Sequence, residues 1–236
     1  YTPSAGIAVD TWYKRLVTAT VSGVPCTEET NAVKVTVINF TPGSIATDQT
    51  ICEATAPASF TSVAPSGDGT KTYQWQSSPD GLAPWTNIPG ETNATYTSGP
   101  LSADTWFRRA VIATIGGTSC TQYTTAVKVT INIFNPGTIG SAQTICEGDA
   151  PAAFTSVAPT GVVGTTFTYQ WQSSIDNVTY SNIPGATSAT YTSGALTQDT
   201  YFRRRVTATL NGNACTEFTP EILITVNNFL PGTISG

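Results

Sequence analysis

Internal repetition constrains this chain more than any other feature. Thr72-Tyr73-Gln74-Trp75-Gln76-Ser77-Ser78 returns as Thr168-Tyr169-Gln170-Trp171-Gln172-Ser173-Ser174. Pro42-Gly43-Ser44-Ile45 returns as Pro136-Gly137-Thr138-Ile139 and again as Pro231-Gly232-Thr233-Ile234. Gln49-Thr50-Ile51-Cys52-Glu53 matches Gln143-Thr144-Ile145-Cys146-Glu147, and Asp10-Thr11-Trp12 matches Asp104-Thr105-Trp106 and Asp199-Thr200-Tyr201. The period is 94 to 96 residues. Such a period is the signature of an array of similar units. The 236 residues divide into the C-terminal part of a truncated repeat (1–40), two complete repeats (41–134 and 135–229) and the start of another (230–236). This division predicts a window within a longer array.

Within one repeat the pattern predicts short strands joined by tight turns. Tyr73 and Trp75 lie two apart, so in a strand they share one face, with Gln74 and Gln76 on the other. A leading extended segment covers 43–53, a strand covers 57–64, and Ser66-Gly67-Asp68-Gly69 turns into the Trp strand. Pro79-Asp80-Gly81 turns out of it, and short strands are expected at 85–88 and 94–98.

Asp104 then opens a strand that comparison of the copies orients. Phe107, Arg109, Val111 and Ala113 correspond to Tyr13, Arg15, Val17 and Ala19 and to Phe202, Arg204, Val206 and Ala208. That face hardly varies, whereas Trp106, Arg108, Ala110 and Ile112 become Tyr201, Arg203, Arg205 and Thr207. The unvarying face is expected to be buried. Its Arg is expected near a sheet end, stacked on an aromatic ring or paired with a carboxylate. The closing strand alternates Val127, Val129, Ile131 and Ile133 with Lys128, Thr130 and Asn132. About seven short strands per repeat, with turn signals roughly every 8–12 residues, predict an all-β fold of tandem antiparallel β-sandwiches arranged as a rod.

Composition excludes several functions. Thr makes up about a fifth of the chain, and there is no His and no Met. The net charge is −5 with no basic cluster, which argues against nucleic acid or an anionic membrane as partner. No stretch approaches about 18 continuous apolar residues, so no membrane insertion is expected. The usual base for a Ser or Cys nucleophile is missing, and there is no glycine-rich phosphate loop. Glu53 and Glu147, Asp80 and Asp176, and Asp104 and Asp199 recur from copy to copy. A glycosidase pair would belong in one cleft. The chain reads as non-enzymatic, with no catalytic residue and no cofactor.

A Trp strand, a short strand after it, and an Asp just before an aromatic strand make each repeat resemble an immunoglobulin-type domain. One departure matters. Where an immunoglobulin strand carries its second Cys, this chain has Val111 or a neighbour, and the Cys comes later, in Gly116-Gly117-Thr118-Ser119-Cys120. Add the leading Gln-Thr-Ile-Cys-Glu, the Tyr-Gln-Trp-Gln-Ser-Ser strand, the turn at 182–187 and Asp199-Thr200-Tyr201-Phe202-Arg203-Arg204. Together these resemble the tandem Ig-like repeats of giant cell-surface proteins of gliding and related Bacteroidota, the SprB-type gliding adhesins among them. The resemblance implies an extracellular, cell-surface location, export by the type IX secretion system, and contact with secretion or motility machinery of the outer membrane.

The five cysteines are Cys26, Cys52, Cys120, Cys146 and Cys215. Pairing within repeats joins Cys52 to Cys120 and Cys146 to Cys215, and leaves Cys26 for the front of its own repeat. A rival scheme, Cys26–Cys52 with Cys120–Cys146, would bridge neighbours. A straight strand of about ten residues, some 33 Å long, separates Cys26 from the junction, and bridged Cα atoms lie within about 7 Å. The within-repeat scheme is therefore the expectation. It implies an oxidising compartment. With no Cys-x-x-Cys and no His, no metal site is expected on these residues.

Further features bear on what the repeats could bind. The Asp104 set is expected to make a corner hydrogen bond to nearby backbone. Asp48, Asp68 and Asp80 could instead hold calcium between loops, although Asp48 becomes Ala142 in the next copy. Trp85, Trp106, Tyr180 and Tyr201, with Trp12, either stack on sugar rings or pack across strands. Asn39, Asn93 and Asn177 begin Asn-x-Thr triplets, read as chance.

Short linkers with an aromatic at each junction (Phe40, Phe134, Phe229) predict semi-rigid stacking of neighbouring repeats. The leading expectation is a structural stalk of a secreted surface adhesin, with neighbouring repeats of the same chain as its first partners. Two alternatives are a module that binds surface polysaccharide or another cell through exposed aromatics, and a fibre subunit in which the half-repeat 1–40 is completed by a donated strand.

Overall fold

A computed structural model describes residues 6–229 and Gly232. They form an all-β structure of tandem Ig-like sandwiches, and no helix occurs among the described residues. One regular sheet organises each complete repeat. In the first repeat its order is Thr86–Asn87, the Trp strand Thr70–Ser78, the Arg strand Thr105–Ile115, the closing strand Val127–Asn132 and the leading strand Gln49–Cys52. A hairpin strand, Thr118–Tyr123, also pairs with the Arg strand. The leading strand runs parallel to the closing strand, with Cys52 opposite Asn132, and the other pairings are antiparallel. The second repeat has the same order, and there Cys146 faces Asn227.

Register puts the core residues together. Trp75 lies opposite Arg109 and Tyr73 opposite Val111, so all four share the inner face. Phe107, Arg109, Val111 and Ala113 are buried as the repeat comparison predicts, and so are Phe202, Arg204, Val206 and Ala208. Phe60 and Phe107 approach to 5.0 Å and Trp75 and Tyr96 to 5.4 Å, while the Trp75 indole donates to the Asn93 carbonyl at 2.9 Å. Each fully buried large apolar side chain stabilises the repeat by about 1.5–3 kcal/mol. Ile133, expected on this face, lies beyond the end of the closing strand and is exposed. Between the Phe107–Val127 and Ala110–Tyr123 pairs, residues 124–126 face only 108 and 109. This bulge is held by paired 3.0 Å hydrogen bonds between Arg109 and Thr124.

The opposing layer is fragmentary. It consists of Phe40–Thr41 with Ser66–Gly67, Ser44–Ile45 with Ser62–Val63, and single bridges at Thr55–Leu101 and Phe60–Tyr96. The strands expected over 57–64 and 94–98 shrink to these pieces, and Arg109 supplies the reason. Its guanidinium, fully buried, donates to the carbonyls of Ala94 (2.7 Å), Pro42 (3.1 Å) and Val63 (3.2 Å) and to the Ser62 hydroxyl. A side chain thus supplies donors that a neighbouring strand would otherwise provide. Arg204 repeats the arrangement with Ala189, Pro136, Val157 and Ser156. The expected aromatic partner is present, Tyr73 under Arg109 and Tyr169 under Arg204. The Arg lies in mid-strand rather than at a sheet end, and it is surrounded by carbonyl dipoles rather than a carboxylate.

The Pro-Gly turns require glycine. Gly43 has a φ of 69° and Gly137 one of 73°, and a Cβ at either would fall 2.3 Å from the carbonyl oxygen of Val63 or Val157.

Residues 6–40 contain the Arg-strand, hairpin and closing portions of a repeat. Leu16–Val21 pairs with Val24–Glu29, and Thr11–Tyr13 with Val33–Val35. The register matches the complete copies: Ala19 faces Cys26 as Ala113 faces Cys120. Here the inner face is open. Val17 is 44% exposed, whereas its counterpart Val111 is fully buried.

Candidate functional surfaces

The aromatics singled out as ligand contacts lie on the outer side of the regular sheets, and Trp85, Trp106 and Tyr180 are already engaged with other side chains. Arg108 lies between the rings of Trp85 (4.3 Å) and Tyr123 (3.9 Å). Its Nε donates to Gln76 Oε1 at 2.8 Å, and Gln76 Nε2 donates to Asn87 Oδ1 at 2.8 Å. In the second repeat Arg203 lies between Tyr180 (3.8 Å) and Phe218 (4.1 Å), with the same chain through Gln172 to Asn182. Trp106 sits against Gly81, where a Cβ would come within 2.9 Å of the ring, and under the Lys128 ammonium at 4.7 Å. Tyr201 lies opposite Ser174 on one side and Leu223 on the other. Trp12 is 64% exposed, with Lys34 over its ring at 5.9 Å.

The recurring carboxylates hold backbone. Asp104 Oδ1 accepts from the Ile131 N–H at 2.8 Å, Asp199 Oδ1 from Val226 at 2.7 Å and Asp10 Oδ1 from Val37 at 2.9 Å. Each ties the start of an Arg strand to its closing strand. Burial pushes the Asp104 carboxyl up, but Lys128 at 2.7 Å and the Ile131 bond outweigh it and hold the group below its usual range. Of the calcium candidates, Asp48 accepts from Lys128 N–H, Asp68 from Asn39 N–H, and Asp80 from Leu82 N–H and the Ser78 hydroxyl. Among the described residues no group of three or more His, Cys, Asp or Glu side chains could hold a metal ion.

The cysteines correct the expected pairing. Cys52 is bonded to Cys215, with Cα atoms 5.5 Å apart, and Cys120 and Cys146 are free and exposed, as is Cys26. Neither Cys52–Cys120 nor Cys146–Cys215 forms, because the two cysteines of one repeat lie at opposite ends of its sheet. Cys52 is level with Asn132, three residues past the Val129–Thr105 pair, while Cys120 faces Ala113. That offset is about eleven residue steps, roughly 35 Å. The hairpin of the second repeat instead reaches back to the base of the first. There Asn132 Nδ2, nearly fully buried, donates to the carbonyls of Ala208 (2.9 Å) and Asn213 (3.3 Å), and Asn211 Nδ2 donates to Thr50 Oγ1 at 3.1 Å.

Two of the three junction aromatics pack against the repeat that follows them. Phe40 is buried with Val111 and Ala113 and lies under Lys71 at 5.4 Å. Phe134 meets Phe167 at 6.0 Å, and Phe229 is exposed.

Residues 41–133 and 135–228 both match the family model described as a domain of unknown function, DUF8696. The chain belongs to this family. Among solved structures, the DUF8696 tandem is similar to the three N-terminal domains of the Highly Immunogenic Outer Capsid protein of bacteriophage RB49 (10% identity, TM-score 0.47, covering 96% of this chain and 91% of that one). It is also similar to titin domains A168–A170 (14% identity, TM-score 0.34, 92% and 75% covered). Drosophila OTK extracellular domains 3–5 are a third case (13% identity, TM-score 0.34, 92% and 70% covered). No curated protein sequence matches.

Sequence comparison of the two DUF8696 copies located the outer aromatics but missed Tyr123 and Phe218, the second ring of each Arg stack. Their signal was available: each stands on the strand next to an outward-facing Arg, with Ala110 or Arg205 directly opposite.

Proposed function

We propose that these repeats are a non-enzymatic stalk of a long secreted cell-surface adhesin, presenting an adhesive region away from the cell and transmitting tension along the array. The Cys52–Cys215 bond across the junction carries this reading. It joins neighbouring units covalently where a loosely strung array would have a free linker, and Asn132 and Phe134 close the same junction by hydrogen bonding and packing. The recurring Asp, Arg and aromatic side chains also have partners within their own repeats, as befits a scaffold.

A disulfide persists in an oxidising compartment, which supports an extracellular or cell-surface site. The finer assignment, a SprB-type gliding adhesin exported by the type IX system of a member of the Bacteroidota, rests on the sequence resemblance. Neighbouring repeats are the first partners in this reading, and outer-membrane secretion or motility machinery contacts the parent protein.

The competing reading is a carbohydrate-binding module. The outer rows around Arg108 and Arg203 favour it, since both guanidiniums are only half-buried and Tyr123 and Phe218 beside them are exposed. The test is glycan-array and cell-adhesion binding by the full chain beside a Trp85→Ala, Trp106→Ala, Tyr180→Ala, Tyr201→Ala variant, with the fold of both followed by circular dichroism. The stalk reading expects no saturable binding by either. Binding by the native chain that a folded variant loses makes each repeat an adhesive module.

A further inference from the structure

We propose that Cys146 and Cys120 are the two open halves of further staples, in which the leading-strand cysteine of every repeat bonds to the hairpin cysteine of the next. The inference concerns covalent connection and does not depend on the stalk reading. Cys146 corresponds to Cys52 by sequence and by register, each being the last residue of a leading strand, opposite Asn227 and Asn132 respectively. Cys120 corresponds to Cys215, opposite Ala113 and Ala208. Both Cys120 and Cys146 are exposed, whereas Cys215, inside the formed bond, is buried.

The earlier junction supplies an independent observation. Ile38 takes the place that Asn132 takes one period later, and it packs on the Phe40, Val111 and Ala113 cluster just as Asn132 reaches Ala208. The two junctions therefore share one geometry. It places Cys120 where Cys215 sits, facing the position that a leading strand of the preceding repeat would take.

Closing each staple converts two thiols into one disulfide. The two electrons and, through solvent, the two protons pass to a disulfide acceptor, an oxidised thiol oxidoreductase that leaves as the dithiol.

The consequence is a covalent route that bypasses most of each repeat. Cys120 and Cys146 stand 26 positions apart, as do Cys26 and Cys52. With staples at every junction, tension runs through a closing strand, a linker and a leading strand, then jumps to the next hairpin. That route holds at most ~90 Å of extensible chain for every two repeats, against about 650 Å without staples. Two such routes interleave along the array.

Disulfide mapping by mass spectrometry tests this. In the monomeric 236-residue chain, alkylated before digestion, Cys52 and Cys215 are expected as one linked peptide and Cys120 and Cys146 as alkylated residues. A chain lengthened by a further copy of residues 135–229 is then expected to lose alkylation at Cys146, which links to the hairpin cysteine of the added copy. Changing that hairpin cysteine to Ser restores alkylation. A Cys52–Cys120 or Cys146–Cys215 link in the native chain overturns the proposal. So does a lengthened chain in which Cys146 stays alkylated or the Cys52–Cys215 bond is lost.

Discussion

Arg109 and Tyr73 meet inside the first repeat, the guanidinium 4.8 Å from the ring centroid, and Arg204 and Tyr169 repeat the contact at 4.9 Å. The cation is compensated by a ring face and three carbonyls. Burial pulls the Arg109 pKa below its ordinary value, with Tyr73 acting in the opposite sense. The guanidinium remains charged at neutral pH because its ordinary pKa is so high.

Removing this cation strands its acceptors. Arg109→Ala leaves the carbonyls of Pro42, Val63 and Ala94 without these donors, at about 1–3 kcal/mol for each buried group left unpaired. The first repeat is expected to lose about 3 kcal/mol or more, with a Tm fall of over ~10 °C. Arg109→Lys keeps the charge but not the planar fork, and is expected to lose about 2 kcal/mol. Calorimetry of the reduced chain, with the second repeat as internal reference, measures both. A Tm change under ~3 °C for Arg109→Ala would contradict the structural role assigned to Arg109.

The Asp104 corner separates two bonds of different worth. Asp104→Ala frees the Ile131 N–H beside the core and is expected to cost about 2 kcal/mol. Lys128→Ala removes a partly exposed ion pair together with the ammonium over the Trp106 ring, and is expected to cost about 1 kcal/mol at most. Denaturant unfolding distinguishes the two. Equal effects would mean that the ion pair, not the backbone bond, holds the corner.

Stability is expected to be flat from pH 5 to 8, because the chain has no His. Below that it falls. The Thr179 N–H, the Ser174 hydroxyl and the Val178 N–H hold Asp176 at about 2. Lys34 and Val37 hold Asp10 below the usual range, and Leu82 and Ser78 do so for Asp80. A depressed carboxyl contributes stability above its unfolded pKa of 3.8 and loses it as pH drops towards the folded value. The loss should therefore fall between pH ~4 and ~2, read as Tm against pH. A loss centred near pH 6 would contradict this assignment.

The regular sheet was legible from sequence because its strands are long and duplicated. Comparing Phe107–Ala113 with Phe202–Ala208 fixes which face is buried, and Tyr73 and Trp75 share that face by simple alternation. The fragmentary layer was not legible, because a strand pattern at 57–64 carries no sign that Arg109 will satisfy the carbonyls there. The disulfide was missed for a different reason. Periodicity pairs equivalent residues but does not say whether a hairpin tip meets its own leading strand or that of the repeat before. The parallel register of Gln49–Cys52 on Val129–Asn132 decides this by carrying Cys52 to the far end of its sheet.

The most direct measurement is single-molecule extension of the full chain held at its two ends, oxidised and then reduced. With Cys52–Cys215 closed, only the segments outside the bond can lengthen, and the limit of extension is expected to stay near ~250 Å. Reduction should release both complete repeats and raise the limit to about 800 Å. The same full extension in both states would contradict the claim that the junction bond joins these repeats into one tension-transmitting unit.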